Sequence, residues 1–303
     1  MARRKGMLDR HVYQDFIDKV APTTNTLLLY FMGETFLHKH AYEMIRYTRN
    51  AGIYVETCTN GDFVDPEGVI YSDINKISFQ IGGMTEESHQ RYRVGTSLEK
   101  SKEKLLALIE EKKKHSNSNV QIEVGFIVMR HNEHEIPRFM EWAREIGVDT
   151  ADVVDPCVRN MLEAYAYLPK DRKYWFYDEE AFERGELRPK IIPDNECQWI
   201  WNSMQINWNG DAVPCCRDPN GKHILGNVFE EGLNKVFNGE KAREFRRRIL
   251  TDQGNIDICQ LCSGYGLPVM QKEEPGNFSV VHHSSDPQEA AALEAIAQQA
   301  VRR

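Results

Sequence analysis

Five of the seven cysteines in this chain fall in one stretch of its last third, at Cys197, Cys215, Cys216, Cys259 and Cys262, with the spacing C-x17-C-C-x42-C-x2-C. A C-x2-C pair offers two thiolates from one tight turn, so the chain between must fold back to bring another pair to the same place. The N-terminus is basic at Arg3, Arg4 and Lys5, but no apolar run follows it, so no signal peptide is read there. No segment approaches the roughly 18 apolar residues of a membrane span. The chain therefore reads as soluble and cytosolic, a setting in which thiols stay reduced and clustered cysteines serve metals rather than disulfides. Four thiolates suit either tetrahedral zinc or an iron–sulfur cluster, although the common zinc spacing has a shorter gap between pairs.

The route back is legible. Residues 204–215 alternate apolar and polar side chains around Asn209-Gly210, a strong hairpin signal, and the second strand delivers Cys215 beside Cys197. Helical stretches follow over 225–237 and 241–250, leading to Cys259 and Cys262. Cys215 follows Pro214 at the strand end and is preferred as the ligand, which leaves Cys216, like Cys58 and Cys157, to pack as a small apolar residue.

The first half alternates short apolar runs with amphipathic ones. Strands are expected over 26–31, 53–57, 76–81, 120–129 and 151–154, and helices over 8–20, 41–50, 97–115 and 133–145. Such βα alternation predicts a parallel sheet with right-handed crossovers. The array opens with a helix rather than a strand. Either that helix covers a sheet edge or a first strand is missing. The expected organisation is a first unit over 1–159, a connector over 160–195, a compact Cys-rich unit over 196–274, and a tail over 275–303 that is helical or disordered. A formal net charge of -8 argues against a dedicated nucleic-acid binder.

The run INWNGDAVPCC at 206–216, with Asp218, Leu225-Gly226-Asn227, Phe245-Arg246 and the final Cys259/Cys262 pair, resembles the SPASM/twitch auxiliary-cluster domain of radical S-adenosylmethionine (SAM) enzymes. The first half is similar to the same family's partial barrel. Met32-Gly33-Glu34-Thr35 resembles its G-G-E-P motif, and Thr59-Asn60-Gly61 its T-N-G. Gln80 occupies the slot of a residue that reaches the SAM ribose. The resemblance implies an α/β fold with a parallel βα partial (TIM-like) barrel and a small Cys-rich hairpin-and-helix domain. It implies one auxiliary [4Fe–4S] cluster on Cys197, Cys215, Cys259 and Cys262. It also implies SAM contacts at Gly33, Glu34, Thr35, Gln80 and Arg130, Arg130 facing either the SAM carboxylate or solvent. Implied partners are a small-molecule or peptide substrate and a reducing donor such as flavodoxin or ferredoxin, with no nucleic acid and no membrane. The implied activity is an oxidoreductase removing hydrogen from a sugar, cyclitol or peptide. One departure is clear. The family's C-x3-C-x2-C is absent, because no cysteine precedes Cys58. The expectation is that strand one and the catalytic-cluster loop, with a second [4Fe–4S] cluster, belong to a segment upstream of Met1. The alternatives are a degenerate pseudoenzyme and a non-catalytic scaffold with a structural four-cysteine site.

Overall fold

A computed structural model describes residues 5–262, Gly264, and the backbone of one further strand, Ser279–His282. In chain order, the helices of the first half are α1 (Arg10–Val20), α2 (Ala41–Asn50), α3 (Pro66–Ser72), α4 (Glu86–Tyr92), α5 (Leu98–Lys114) and α6 (Ile136–Ile146). Between them run the strands β1 (Thr26–Leu28), β2 (Tyr54–Thr59), β3 (Lys76–Ile81), β4 (Gln121–Ile127) and β5 (Thr150–Val154). All pair in parallel with their neighbours in sequence, as βα alternation requires. The sheet has a sixth member. β9, the strand Ser279–His282, pairs in parallel with β5, with Thr150 opposite Ser279. The expectation of a helical or disordered tail is thus corrected for these four residues; the rest of the tail, 275–278 and 283–303, lies outside the described residues. β1 is shorter than expected, ending at Leu28, although the Leu29 N–H still bonds the Glu56 carbonyl at 2.9 Å.

Local chemistry sets the element ends. Ser97 caps α5 by accepting from the Lys100 N–H, and α6 stops at Gly147, whose φ of 75° suits the left-handed C-cap. Two short helices escaped the periodicity reading. α3 starts at Pro66 under an Asp65 cap, and α4 starts with a Thr85–Ser88 capping box.

The two faces of the sheet differ. Val55, Ile77, Phe79, Ile81, Ile122, Val124, Phe126, Ala151 and Val153 are buried in one core with Ile45, Val69, Leu105, Leu108, Phe139 and Ala143 of the helices. Alternate positions on the same strands carry Glu56, Cys58, Lys76, Ser78, Gln80, Glu123 and Asp152. A parallel sheet covered on both faces is apolar throughout its strands, so a polar second face marks a surface that receives something other than a helix.

The segment expected as a connector holds α7 (Met161–Tyr167), α8 (Glu179–Glu183) and an apolar cluster of its own around Leu168, Trp175, Phe176, Tyr177 and Phe182. Beyond it lie α9 (Trp199–Asn202) and the strands β6 (Gln205–Ile206), β7 (Asp211–Val213) and β8 (Gly226–Asn227), an antiparallel trio in the order β6-β7-β8. They are followed by α10 (Val228–Glu231), α11 (Leu233–Phe237) and α12 (Glu240–Asp252). α1 joins the two units. Its Tyr13, Ile17 and Val20 pack with Met44 and Ile53, while Phe16 meets Phe229 edge-on at 5.5 Å.

Candidate iron–sulfur centre and the loops above the sheet

The hairpin that carries Cys215 depends on one glycine. Gly210 has φ 88°, and a Cβ there would fall 2.4 Å from Asn227 Oδ1 and 2.5 Å from the Phe229 ring. The Gly210 N–H closes the turn onto Asn207 O at 2.9 Å, and the Asn227 side chain clasps it by donating to Asn209 O. Gly210→Ala is expected to destabilise the unit by about 2–3 kcal/mol, the left-handed backbone cost plus the steric clash. A urea-denaturation midpoint unchanged from the parent would contradict this.

Three side chains then draw the cysteine-bearing segments together. Buried Gln253 accepts from the Glu196 N–H at 3.0 Å and donates to the Glu196 carbonyl at 2.8 Å, fixing the residue before Cys197 to the segment that leads to Cys259. Asp218, 1 % exposed, accepts from the N–H groups of Lys222 and His223 at 2.9 and 2.8 Å, and so shapes the loop after Cys215. Asp257 reaches that loop from the other side, with Oδ1 2.7 Å from His223 Nε2 and Oδ2 2.9 Å from Lys222 Nζ. These hydrogen bonds from His223 and Lys222 hold the Asp257 carboxyl down at about 2. The Cys262 N–H bonds the Cys259 carbonyl at 3.0 Å in the tight turn expected of C-x2-C.

The thiols feel one another. Burial pushes the Cys215 thiol up to about 12, and Cys216, Cys259 and Cys262 add to the rise. Burial likewise pushes Cys259 up to about 12, with further contributions from Cys262 and Cys197. Cys197, Cys215, Cys259 and Cys262 are all half-buried and free, whereas Cys216 and Cys157 are exposed. Among the described residues no group of three or more His, Cys, Asp or Glu side chains is arranged to hold a metal ion, so the thiols share a region rather than a single point. Half-buried thiols whose burial and mutual repulsion raise their pKa become favourable as thiolates around a cationic centre, and the donor set therefore fits a metal group.

A second assembly lies in the loops after β1, β2 and β3. Gly33 has φ 103°. Glu34 is fully engaged by the protein: Oε1 accepts from the Thr59 hydroxyl at 2.9 Å and the Phe36 N–H at 3.3 Å, and Oε2 from the Asn60 N–H at 2.9 Å. The Thr35 hydroxyl bonds the Leu29 carbonyl and lies 3.0 Å from Thr57 Oγ1. Gln80 donates to Ser78 Oγ at 2.8 Å and lies across Gly125, where a Cβ would come within 2.5 Å of its amide nitrogen. Arg130 is exposed, and its Nε bonds the Leu168 carbonyl at 3.1 Å. The structure thus gathers Gly33, Glu34, Thr35 and the Thr59-Asn60-Gly61 turn, and ties Arg130 to the segment after α7. Sequence reasoning missed Arg93. Burial pulls its guanidinium down from the usual value, offset by nearby Tyr92, Cys58 and Glu34, and its Nε is shut from water without a partner among the described residues. The available signal was an arginine in a loop at the end of a short helix that had itself been overlooked.

Residues 197–263 match the family model for SPASM, an iron–sulfur cluster-binding domain. An AdoMet-dependent heme synthase of Methanosarcina barkeri is 27% identical over 196 residues, covering 62% of this chain and 54% of that protein. The chain is a radical SAM relative with a SPASM domain. The antilisterial bacteriocin subtilosin biosynthesis protein AlbA of Bacillus subtilis is 22% identical over 219 residues, covering 68% of this chain and 47% of AlbA. The chain therefore spans about half the length of these curated relatives. The solved structure of anSMEcpe with bound AdoMet has the same fold, with a TM-score of 0.62 at 15% identity, covering 95% of this chain and 88% of that one. The SPASM match begins on Cys197 and takes in Cys215, Cys216, Cys259 and Cys262. No helix among the described residues is long and apolar enough to cross a membrane.

Proposed function

We propose that this chain is the greater part of a radical SAM oxidoreductase in which Cys197, Cys215, Cys259 and Cys262 hold one [4Fe–4S] cluster that accepts an electron from the substrate. The observation that carries the reading is that four half-buried free cysteines fall inside one SPASM match. A cluster ligated by four thiolates has no open iron, so it suits electron transfer rather than substrate binding. Reductive cleavage of bound SAM supplies a 5′-deoxyadenosyl radical for hydrogen abstraction, chemistry that belongs to the cofactor. The protein's share is to orient and shield. On this reading the sheet curves as a partial barrel whose polar face receives the substrate. Gly33, Glu34 and Thr35 position the SAM amino group, with Glu34 acting by holding the loop to Thr59 and Asn60. Gln80 lies toward the ribose. Arg93 is better placed than Arg130 to meet the SAM carboxylate, because it stands beside Glu34. A hydroxylated sugar or cyclitol, or a peptide side chain, suits a face carrying Glu56, Lys76, Ser78 and Glu123.

Two measurements test this. The 303-residue chain purified anaerobically is expected to carry iron and acid-labile sulfide in equal amounts near four per chain, and stoichiometric zinc without sulfide would support the scaffold reading instead. Given SAM and a strong reductant, the same 303 residues are expected to release no 5′-deoxyadenosine, since residues 1–57 contain no thiolate for a catalytic cluster. Turnover at a normal rate would overturn the assignment of the four cysteines to an auxiliary role.

A further inference from the structure

We infer that Trp199 donates its indole N–H to a sulfur of the SPASM cluster and thereby raises the cluster's reduction potential. Buried indole N–H groups find acceptors, as Trp175 shows by donating to the Pro169 carbonyl at 2.8 Å. Trp199 differs. Its Nε1 is closed off from solvent and has no acceptor among the described residues. Its place in the fold names the missing partner. Trp199 opens α9 two residues after Cys197, and the next residue, Ile200, packs into the cluster of Phe245, Ile249 and Ile256. Cys197 and Cys259 pack against that same cluster. The turn that carries Trp199 is therefore anchored, through Ile200, on the same apolar cluster as two of the four thiols.

Thiolate and sulfide sulfurs carry negative charge, so a donor to them makes a charge-assisted hydrogen bond. Reduction adds an electron to the cluster and strengthens that bond, which favours the reduced form. For a centre that must take an electron from a substrate radical, a raised potential works in the useful direction. Trp199 is thus a tuning residue that acts on the cluster and does not touch the substrate. The inference rests on the four-cysteine reading above.

The test uses the 303-residue chain with its cluster reconstituted anaerobically, so that one centre is observed. In Trp199→Phe, iron and sulfide should match the parent while the midpoint potential falls by about 59 mV, a tenfold shift in a one-electron reduction equilibrium. A second measurement needs no variant: pulsed EPR of the reduced parent, labelled with 15N at the indole, should show coupling to that nitrogen. An unchanged potential at full iron content, or no nitrogen coupling, overturns the inference. A parent that takes up no iron or sulfide overturns the ligand assignment itself, and the two failures are told apart by metal content.

Discussion

Replacing Cys259 with serine is expected to remove essentially all iron and sulfide from the chain and to loosen the C-terminal unit with them. The reason is the smallness of that unit's apolar support. Its inner cluster consists of Ile200, Phe245, Ile249 and Ile256, with Cys197, Leu225, Ile258 and Cys259 packed at its margin. Two of the residues at that margin are proposed ligands, so the metal group completes the core as well as the site. Metal binding that is coupled to folding contributes its free energy to stability, on the order of 10 kcal/mol for structural thiolate sites. Losing one of four ligands therefore costs far more than the small volume change of Cys→Ser. The control is Cys216→Ser. Cys216 is exposed, and iron content should stay at the parental level. Should Cys216→Ser lose the iron and Cys215→Ser keep it, the ligand role passes from Cys215 to its neighbour. Full iron in Cys259→Ser would remove the C-x2-C pair from the site altogether.

The parts of this molecule that could be read from sequence are those written in short range. β3 runs over Lys76–Ile81 as its apolar residues indicate, α5 begins after Ser97, and α6 ends at Gly147. The turn at Gly210 was legible because a positive φ leaves a residue-type signature. Short elements were harder. α3 and α4 have seven residues each, fewer than the window in which a 3.6-residue period can be counted, although Asp65-Pro66 and Thr85 were usable start signals. β9 could not be found at all. It is four residues long, lies among Gly, Ser and His, and pairs with a strand 129 positions earlier, Ser279 against Thr150. The same distinction holds in the site. Cysteine spacing is local information, whereas the Gln253–Glu196 clamp and the Asp257–His223 bridge join residues 57 and 34 positions apart. Hydrogen bonds at that range leave no periodic trace in one sequence.

Lys76→Met is expected to destabilise the first unit by about 3–5 kcal/mol, because it strands Glu123 on a face that is only partly wet. Lys76 Nζ lies 2.6 Å from Glu123 Oε2, and the Glu123 side chain is 9% exposed against 27% for Lys76. The parallel register explains the pairing: Lys76 stands opposite Gln121 and Ser78 opposite Glu123, so Lys76 reaches one step along its own face. Glu123→Gln should cost less, about 2 kcal/mol, since the more exposed ammonium keeps water and the field of Glu56, which already helps raise it. The double variant Lys76→Met/Glu123→Leu separates stability from function. Removing both charges leaves no stranded ion, so its stability should return to within about 1 kcal/mol of the parent or exceed it. If the pair served folding alone, the double variant would be an ordinary repair. Its position on the polar face of the sheet points elsewhere. Under the proposed function, the double variant joined to a segment that carries a catalytic cluster should fold, keep its iron, and lower kcat/KM at least tenfold through a raised KM, because the proposed substrate face has become apolar. Wild-type turnover in that stable variant would remove this face from the substrate's path.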